Sequence, residues 1–141
     1  MRYLAVIDTN VLVSALLAKH SDSATVILTE KMLRGEAIWL YSDDILREYR
    51  EVLCRKKFGF DFRLIDRLLK AIEYYGIRID PAATGETLAD MKDLPFYEVV
   101  SEKKEDGAYL VTGNLKHFPV RPYIVTARQM LDILAASPTP D

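Results

Sequence analysis

Three acidic residues of this sequence stand where a divalent metal ion could be held. Asp8 directly follows an apolar run, Glu48 lies in a helix-like segment after a second apolar run, and Asp93 precedes another helix-like segment. A carboxylate that follows a buried strand is costly to desolvate without a partner, and a metal ion is one such partner. Carboxylate ligands without histidine or cysteine suit Mg²⁺ or Mn²⁺ rather than zinc. Clustered around such an ion, these acids would activate water for attack on a phosphate.

Each of these acids also has an ordinary structural interpretation. Asp8 or Thr9 could cap the next helix, and Asp93 could cap a helix that begins with Leu94 and Pro95. Capping alone would explain an acid at either position, so neither acid is specific by itself.

Two further groups leave the same choice open. Helical spacing places Asp44 and Glu51 on one face with Glu48, where solvated surface charge is the commoner role. The turn Thr112–Asn114 follows another apolar run, and it could orient water or phosphate or be a plain Gly-Asn turn.

The elements that must position these residues alternate between strands and helices. Apolar runs predict strands at Tyr3–Ile7, Ala37–Tyr41, Ile77–Ile79, Ala108–Val111 and Tyr123–Val125. Helical periodicity predicts helices at Val11–Leu17, Thr25–Arg34, Asp43–Phe58, Asp61–Tyr75, Phe96–Glu102 and Thr126–Ala135. This alternation predicts a three-layer α/β/α fold with a central parallel sheet of roughly four to five strands.

Parallel strands bring their carboxyl ends to one edge of a sheet, and ligands bind beyond that edge. We therefore expect Asp8, Asp93 and the Thr112–Asn114 turn to lie together there. Glu48, in the helix after the second strand, should reach the same place. Clustered carboxylates raise one another's pKa unless a cation lies among them, so the arrangement favours a metal site.

Whole-chain properties are those of an ordinary globular protein. The 141 residues fit one domain, which we expect at 1–136, with a frayed tail at 137–141. The net charge of −2 is not the basic balance of a general nucleic-acid binder, although an acidic metal site lowers the count by itself. The single cysteine, Cys54, excludes an internal disulfide and indicates a reducing compartment. No apolar run is long enough to span a membrane, so the expected location is the cytoplasm.

Four segments, in order, resemble the sequence blocks of PIN domains. They are Asp8–Ala15, Ser42–Leu53, Asp90–Glu98 and Tyr109–Pro119. The first two blocks are moderately specific, and all four in order are strongly so. The subgroup that the chain most resembles is that of the PIN-family toxins of toxin–antitoxin systems.

The resemblance implies a ribonuclease that uses Mg²⁺ or Mn²⁺ to hydrolyse single-stranded or structured RNA, with metal ligands at Asp8, Glu48 and Asp93. Asn114 stands where PIN domains often have a fourth acid, so it joins the catalytic set but should weaken a second metal position. Glu98 is a candidate for supplying the missing charge, although a helix-surface acid is the commoner role. The same resemblance implies a toxin with a protein antitoxin as partner, and a homodimer.

RNA binding also needs cations near the acids. Ten basic residues are candidates for phosphate contacts: Arg47, Arg50, Arg55, Lys56, Lys57, Lys103, Lys104, Lys116, His117 and Arg121. A solubilising surface charge is the alternative for each of them, and structural packing is a further alternative for His117.

Two other functions are alternatives to the nuclease. A catalytically weak PIN domain that binds RNA or protein is the main alternative, and Asn114 favours it. A flavodoxin-like phosphoacceptor is disfavoured, because that class needs paired acids at the first strand and a lysine after the fifth. Here Ile7 precedes Asp8, and Thr126 and Ala127 follow the fifth strand.

Overall fold

The computed structural model describes residues 3–136, and the predicted frayed tail at 137–141 lies outside the described residues. Within this range the strands are β1 (Tyr3–Ile7), β2 (Ala37–Tyr41), β3 (Ile77–Arg78), β4 (Ala108–Val111) and β5 (Ile124–Val125). The helices are α1 (Thr9–Leu17), α2 (Ala24–Leu33), α3 (Asp43–Leu53), α4 (Phe62–Tyr75), α5 (Leu94–Lys103) and α6 (Ala127–Ala136). Short 3-10 turns occur at Met91–Asp93, Lys104–Asp106 and Leu115–His117. Neighbouring strands are parallel and helices lie on both sides of the sheet, so the predicted α/β/α class is confirmed.

In the strand order β3-β2-β1-β4-β5, the direction in which successive strands are added to the sheet reverses after β3. The chain builds from β1 through β2 to β3, and then returns to place β4 on the other side of β1. The crevice beyond the carboxyl ends of the strands at such a switch point is the usual binding position in open α/β sheets. Because Ile7 pairs with Val111, β1 and β4 end at the same level. Asp8 and Thr112 therefore begin adjacent loops at this crevice.

The central strands are buried on both faces. Val6, Leu110 and Val111 are fully inaccessible, which accounts for the continuous apolar runs in their sequences. Gly76, just before β3, is required by close packing. A Cβ atom there would lie 2.5 Å from the Trp39 carbonyl oxygen, so a larger residue would push β3 away from the sheet.

Helix α3 is anchored to the end of β1. Its side chains Ile45, Tyr49 and Leu53 are fully buried, which is the apolar face expected of an amphipathic helix. The Tyr49 hydroxyl donates to the backbone carbonyl of Ile7. Glu48, the residue before Tyr49, is thereby held near the loop that Asp8 begins.

Helix α3 ends at Leu53, and the prediction of a helix to Phe58 is wrong. The chain turns back on itself after the helix. The amide of Phe58 donates to the Arg55 carbonyl at 3.1 Å, and the amide of Gly59 donates to the Lys56 carbonyl at 3.2 Å. Gly59 has a φ of +66°, in the left-handed region that glycine adopts readily and a helix excludes. The basic residues expected to extend the helix form a loop instead.

The other predicted elements agree with the observed ones to within about two residues at each end, the usual uncertainty of helix boundaries. Helix α5 begins at Leu94 rather than Phe96, because Pro95 is tolerated in a first helical turn. No helix within residues 3–136 has the length and apolarity needed to cross a membrane.

Candidate active site

Asp8 occupies the capping position of α1. Within the described residues 3–136, its side chain makes no capping hydrogen bond to this helix. Instead, the Thr112 hydroxyl donates to Oδ2 of Asp8 at 2.7 Å from the end of β4. Asp8 is 4% exposed and Thr112 is fully buried. The capping alternative for Asp8 is therefore wrong. Its carboxylate is buried against a neutral hydroxyl group at the sheet edge.

Glu48 reaches the same edge from α3. The Thr9 hydroxyl, at the start of α1, donates to Oε2 of the half-buried Glu48. Asp44 and Glu51 are exposed, and each lies beside an arginine, at 2.7 and 3.6 Å respectively. The three acids predicted on one face of this helix therefore differ in role: Glu48 meets the sheet edge, and the other two form surface ion pairs.

Asp93 ends the 3-10 turn that precedes α5. It occupies the capping position of α5, yet its side chain makes no capping hydrogen bond in the described chain, so the capping alternative is wrong here too. Its Oδ2 lies 3.2 Å from Nδ1 of His117. Nε2 of His117 lies 3.1 Å from Nδ2 of Asn114. His117 therefore connects Asp93 to the turn that follows β4.

Side chains hold the Thr112–Asn114 turn in place. The Asn114 amide donates to the Thr112 hydroxyl oxygen at 3.0 Å, while that hydroxyl donates its own proton to Asp8. The Gly113 amide donates to Oδ1 of Asn10 at 3.2 Å. These bonds tie the loops after β1 and β4 together, so the turn is part of the acidic site rather than a plain surface turn.

Burial and neighbouring charge raise the pKa of all three acids. Burial raises the pKa of Asp8 to about 6, and the charges of Asp93 and Glu48 add to the effect. The hydrogen bond from Thr112 opposes this rise. Burial also raises the pKa of Glu48, with a contribution from the charge of Asp93. Burial and then the charge of Asp90 raise the pKa of Asp93. Such concentrated negative charge would be stabilised by a bound cation.

The acids line one open cleft with a volume of about 330 Å³. The cleft is lined by Asp8, Thr9, Asn10, Val13, Glu48, Val52, Arg55, Phe58, Asp90, Lys92, Asp93, Asn114 and His117. The four residues predicted as the catalytic set, Asp8, Glu48, Asp93 and Asn114, are all among them. Glu98 lies outside the cleft, where it accepts a hydrogen bond from the Thr84 amide at 3.1 Å. Glu98 therefore does not supply the charge that Asn114 lacks.

The donor set of the cleft favours one class of divalent metal. Within residues 3–136, no three His, Cys, Asp or Glu side chains are grouped closely enough to surround an ion by themselves. Zinc sites need such a closed group of protein ligands, whereas Mg²⁺ keeps several waters and uses one or two carboxylates. Carboxylates and an amide around an open cleft fit a hydrated Mg²⁺ or Mn²⁺, and they do not fit zinc.

The predicted phosphate contacts divide into two groups. Arg55 and His117 line the cleft, and they are joined there by Lys92, which the sequence did not single out. The other candidates lie outside it: Arg47, Arg50, Lys56, Lys57, Lys103, Lys104, Lys116 and Arg121. Arg47 and Arg50 form ion pairs with surface aspartates at 2.7 Å, which is the solubilising alternative.

The hydrogen bonds that support the acids were not predicted, because they join residues distant in sequence. Thr9 and Thr112 donate to acids that are 39 and 104 positions away, and no local pattern reveals such pairs. Phe58 and Lys92 were also missed. For Phe58 the available signal was Gly59, whose preference for turns opposes a continuing helix.

A family model described as PIN domain matches residues 4–116 of the chain. The matched range includes Asp8, Glu48, Asp93 and Asn114. No curated protein and no solved structure matches the chain. PIN domains are generally nuclease folds, and they usually use Mg²⁺ or Mn²⁺. The match spans well over half of the sequence and agrees with the parallel sheet and its acidic crevice, so the chain belongs to the PIN-domain family.

Proposed function

We propose that this PIN domain is an endoribonuclease that hydrolyses single-stranded or structured RNA with Mg²⁺ or Mn²⁺. The observation that carries the proposal is the charge of the cleft. Asp8 is buried with a hydroxyl group as its partner, and the charges of Glu48 and Asp93 raise its pKa further. Positive charge among these carboxylates would offset their repulsion and lower their raised pKa values.

Asp8, Glu48 and Asp93 would hold one hydrated metal ion between them, one or two of these acids directly and the rest through its waters, with the side-chain oxygen of Asn114 as a neutral further donor. When bound, such an ion lowers the pKa of water and stabilises the charge that develops on the phosphodiester. The protein's own contribution is to orient the ligands, which the hydroxyl of Thr112 does for Asp8 at 2.7 Å.

Thr9 and His117 support the other two acids in the same way, through Glu48 and Asp93. The cleft cations Arg55 and Lys92 would bind phosphates on either side of the scissile bond. Ion pairing with RNA through these side chains predicts that binding weakens as the salt concentration rises.

RNA as the substrate and a toxin role rest on the resemblance of the four sequence blocks to PIN-family toxins. On the same ground we propose an antitoxin protein as partner and a homodimer as the working form. Expression of the chain in a bacterial host should arrest growth, and co-expression of the adjacent gene should relieve the arrest. Unaffected growth with demonstrated nuclease activity would remove the toxin role alone.

The test of the reaction is cleavage of a single-stranded RNA by the purified protein. Cleavage should require Mg²⁺ or Mn²⁺, stop with excess chelator, resume when Mn²⁺ is added back, and leave 5′-phosphate and 3′-hydroxyl ends. Robust cleavage in chelator, or 2′,3′-cyclic phosphate products, would contradict a metal-dependent mechanism.

One observation favours the alternative of a catalytically weak binding module. Asn114 places an amide, and not a carboxylate, at its own position in the cleft, and its Nδ2 lies 3.1 Å from His117. A module of this kind would bind RNA in the presence of Mg²⁺ and leave it intact. The cleavage assay therefore separates the two functions directly.

A further inference from the structure

The loop Arg55–Phe60, which follows α3, places an aromatic ring at the acidic cleft. Phe58 lines the cleft together with Arg55. The rings of Phe58 and Phe60 are stacked, with centroids 5.4 Å apart and planes inclined by 12°. Nζ of Lys57 lies 5.1 Å from the centroid of the Phe58 ring. An aromatic pair accompanied by two basic side chains therefore borders the proposed reaction site.

The two phenylalanines differ in their relation to the core. Phe60 is one of the partly buried side chains that pack against the core cluster, whereas Phe58 is half-buried outside that cluster. Phe60 thus anchors the ring pair to the body of the protein, and Phe58 extends the pair to the cleft. A lone surface aromatic needs no explanation. A ring that is supported by a second ring, contacts a lysine and lies at the edge of a cleft has the parts of a binding surface.

We infer that Phe58 is a stacking platform for a base of single-stranded RNA, with Arg55 and Lys57 binding the phosphates beside that base. Aromatic rings interleaved with cations are the usual means of binding single-stranded nucleic acid, because every base has a face that can stack. The inference rests on the proposed function and deepens it by naming the form of the substrate.

The cations favour RNA over an apolar protein partner as the occupant of this surface. Docking an apolar protein segment on Phe58 would desolvate Lys57 without giving it a counter-charge. It would also desolvate Arg55, whose ion pair with the exposed Glu51 is 3.6 Å long. A nucleotide supplies both a face for the ring and a phosphate for each cation. A base stacked on Phe58 would displace the Lys57 ammonium from the ring towards the neighbouring phosphate. Paired bases do not expose their faces, so duplex RNA should use this platform poorly.

Fluorescence anisotropy with a labelled single-stranded RNA tests the platform. All proteins carry Asp8→Asn, so that the RNA stays intact in the presence of Mg²⁺. Adding Phe58→Leu should weaken binding by about fivefold to a hundredfold, the range measured for stacking on aromatic side chains. Phe58→Trp should retain the affinity because it keeps a stacking ring. The matched control is Phe62→Leu, since Phe62 is 64% exposed on α4 and lies outside the cleft.

A second measurement avoids any folding defect of the Phe58 variant. Abasic sites are introduced one at a time along the RNA, and binding to the protein with native Phe58 is measured. One abasic position should weaken binding by the same factor as Phe58→Leu, and the two changes together should weaken it no further. That coupling identifies the base that stacks.

The platform would be overturned if Phe58→Leu left the RNA affinity unchanged, or if no abasic position were coupled to Phe58. Failure of the protein with native Phe58 to bind the RNA would overturn it as well. An effect of Phe58→Leu on a protein partner, with RNA affinity unchanged, would assign the surface to protein binding and overturn the inference as well. Cleavage by the protein with native Asp8 is scored separately. Phe58-dependent binding without metal-dependent cleavage would contradict the proposed nuclease and leave the platform standing.

Discussion

The two sides of the cleft hold their carboxylates in opposite ways. Beyond β1, Asp8 is 4% exposed and receives its hydrogen bond from Thr112, a buried neutral group. Before α5, the side chain of Asp93 is 15% exposed and pairs with His117, whose side chain is 42% exposed. A buried acid with a neutral partner keeps its repulsion from the neighbouring carboxylates, whereas water screens the charge of a more accessible acid. The strongest electrostatic demand for a cation is therefore at the rigid sheet edge.

Both sides of the cleft should nevertheless contribute to one reaction, and neutralising Asp8 or Asp93 tests this. Asp8→Asn and Asp93→Asn each remove a negative charge and keep the shape of the side chain. Each should lower the rate of Mn²⁺-dependent RNA cleavage by about a hundredfold or more, the scale of losing a principal electrostatic group. Initial rates at saturating Mn²⁺ provide the measurement. Near-normal cleavage by either folded variant would remove that residue from the site.

Glu48 belongs with the buried side, and its neighbour Glu51 provides the matched control. Glu48→Gln should lower cleavage by about a hundredfold, because the side chain meets the cleft and is oriented by Thr9. Glu51→Gln should change the rate by less than about twofold, because Glu51 is exposed beside Arg55 at 3.6 Å. Equal losses in the two variants would mean that the whole helix face contributes, and not Glu48 specifically.

The buried side should also dominate the pH dependence of stability in the metal-free protein. The pKa of Asp8 is raised from 3.8 to about 6, so between these values folded Asp8 holds a proton that the unfolded chain has lost. Its contribution to the free energy of unfolding is fully present below about pH 4 and is lost as the pH rises through about 6, by up to about 3 kcal/mol. Asp8→Asn escapes this loss and should gain stability relative to the wild type as the pH rises. Urea unfolding of both proteins across this range measures the gain, and a pH-independent difference would contradict the raised pKa.

Removing the hydrogen bond that supports an acid should lower cleavage more on the buried side of the cleft than on the more accessible side. Thr112→Val keeps the shape of the side chain and deprives Asp8 of its donor, which should raise the pKa of Asp8 further and lower cleavage by about tenfold. The acidic limb of its pH–rate profile should move to higher pH. His117→Gln keeps a donor for the more accessible Asp93 and should cost about threefold or less. If the two losses were reversed in size, burial would not be what distinguishes the two sides.

Short-range rules account for what the sequence predicted. Each buried strand is a continuous apolar run, so periodicity located the strands, and the rule that ligands bind beyond strand ends brought Asp8 and the Thr112–Asn114 turn to one edge. The same sequence pattern could not show that Glu48 faces the site and Glu51 does not. It also could not distinguish a site residue from a helix cap. Those distinctions depend on Thr9 and Thr112, whose hydroxyl groups bond to acids on other elements. The catalytic roles themselves stay a prediction.

The features that escaped prediction lie where local preference and tertiary contact disagree. Basic residues with good helix propensity follow Leu53, yet the chain turns there, and Arg55 and Phe58 reach the cleft as a result. The contact between Asp93 and His117 joins two 3-10 turns that are 24 positions apart. Such turns have no periodicity from which their pairing could be predicted.

Asn114, on the more accessible side, should give the smallest effect and the most specific one. Asn114→Asp adds a negative charge where PIN domains often have a fourth acid, so Mn²⁺ affinity should rise by about fivefold, the scale of one partly screened charge interaction. Without metal, the new carboxylate shares His117 with Asp93 and repels it, so the apo protein should lose less than about 1 kcal/mol of stability. An ordinary surface turn would not produce both changes.

Titration calorimetry with Mn²⁺ and apo melting curves measure the two effects of Asn114→Asp. Asn10→Asp is the control, because Asn10 also lines the cleft but its Oδ1 accepts a hydrogen bond from the Gly113 amide. Equal gains in Mn²⁺ affinity for both variants would show only that the cleft attracts cations more strongly as its charge grows. A gain in Mn²⁺ affinity confined to Asn114→Asp would identify position 114 as a metal-ligand position that carries a neutral side chain in this protein. No change in either measurement would place Asn114 outside the metal site, and the more accessible side of the cleft would then contribute Asp93 alone.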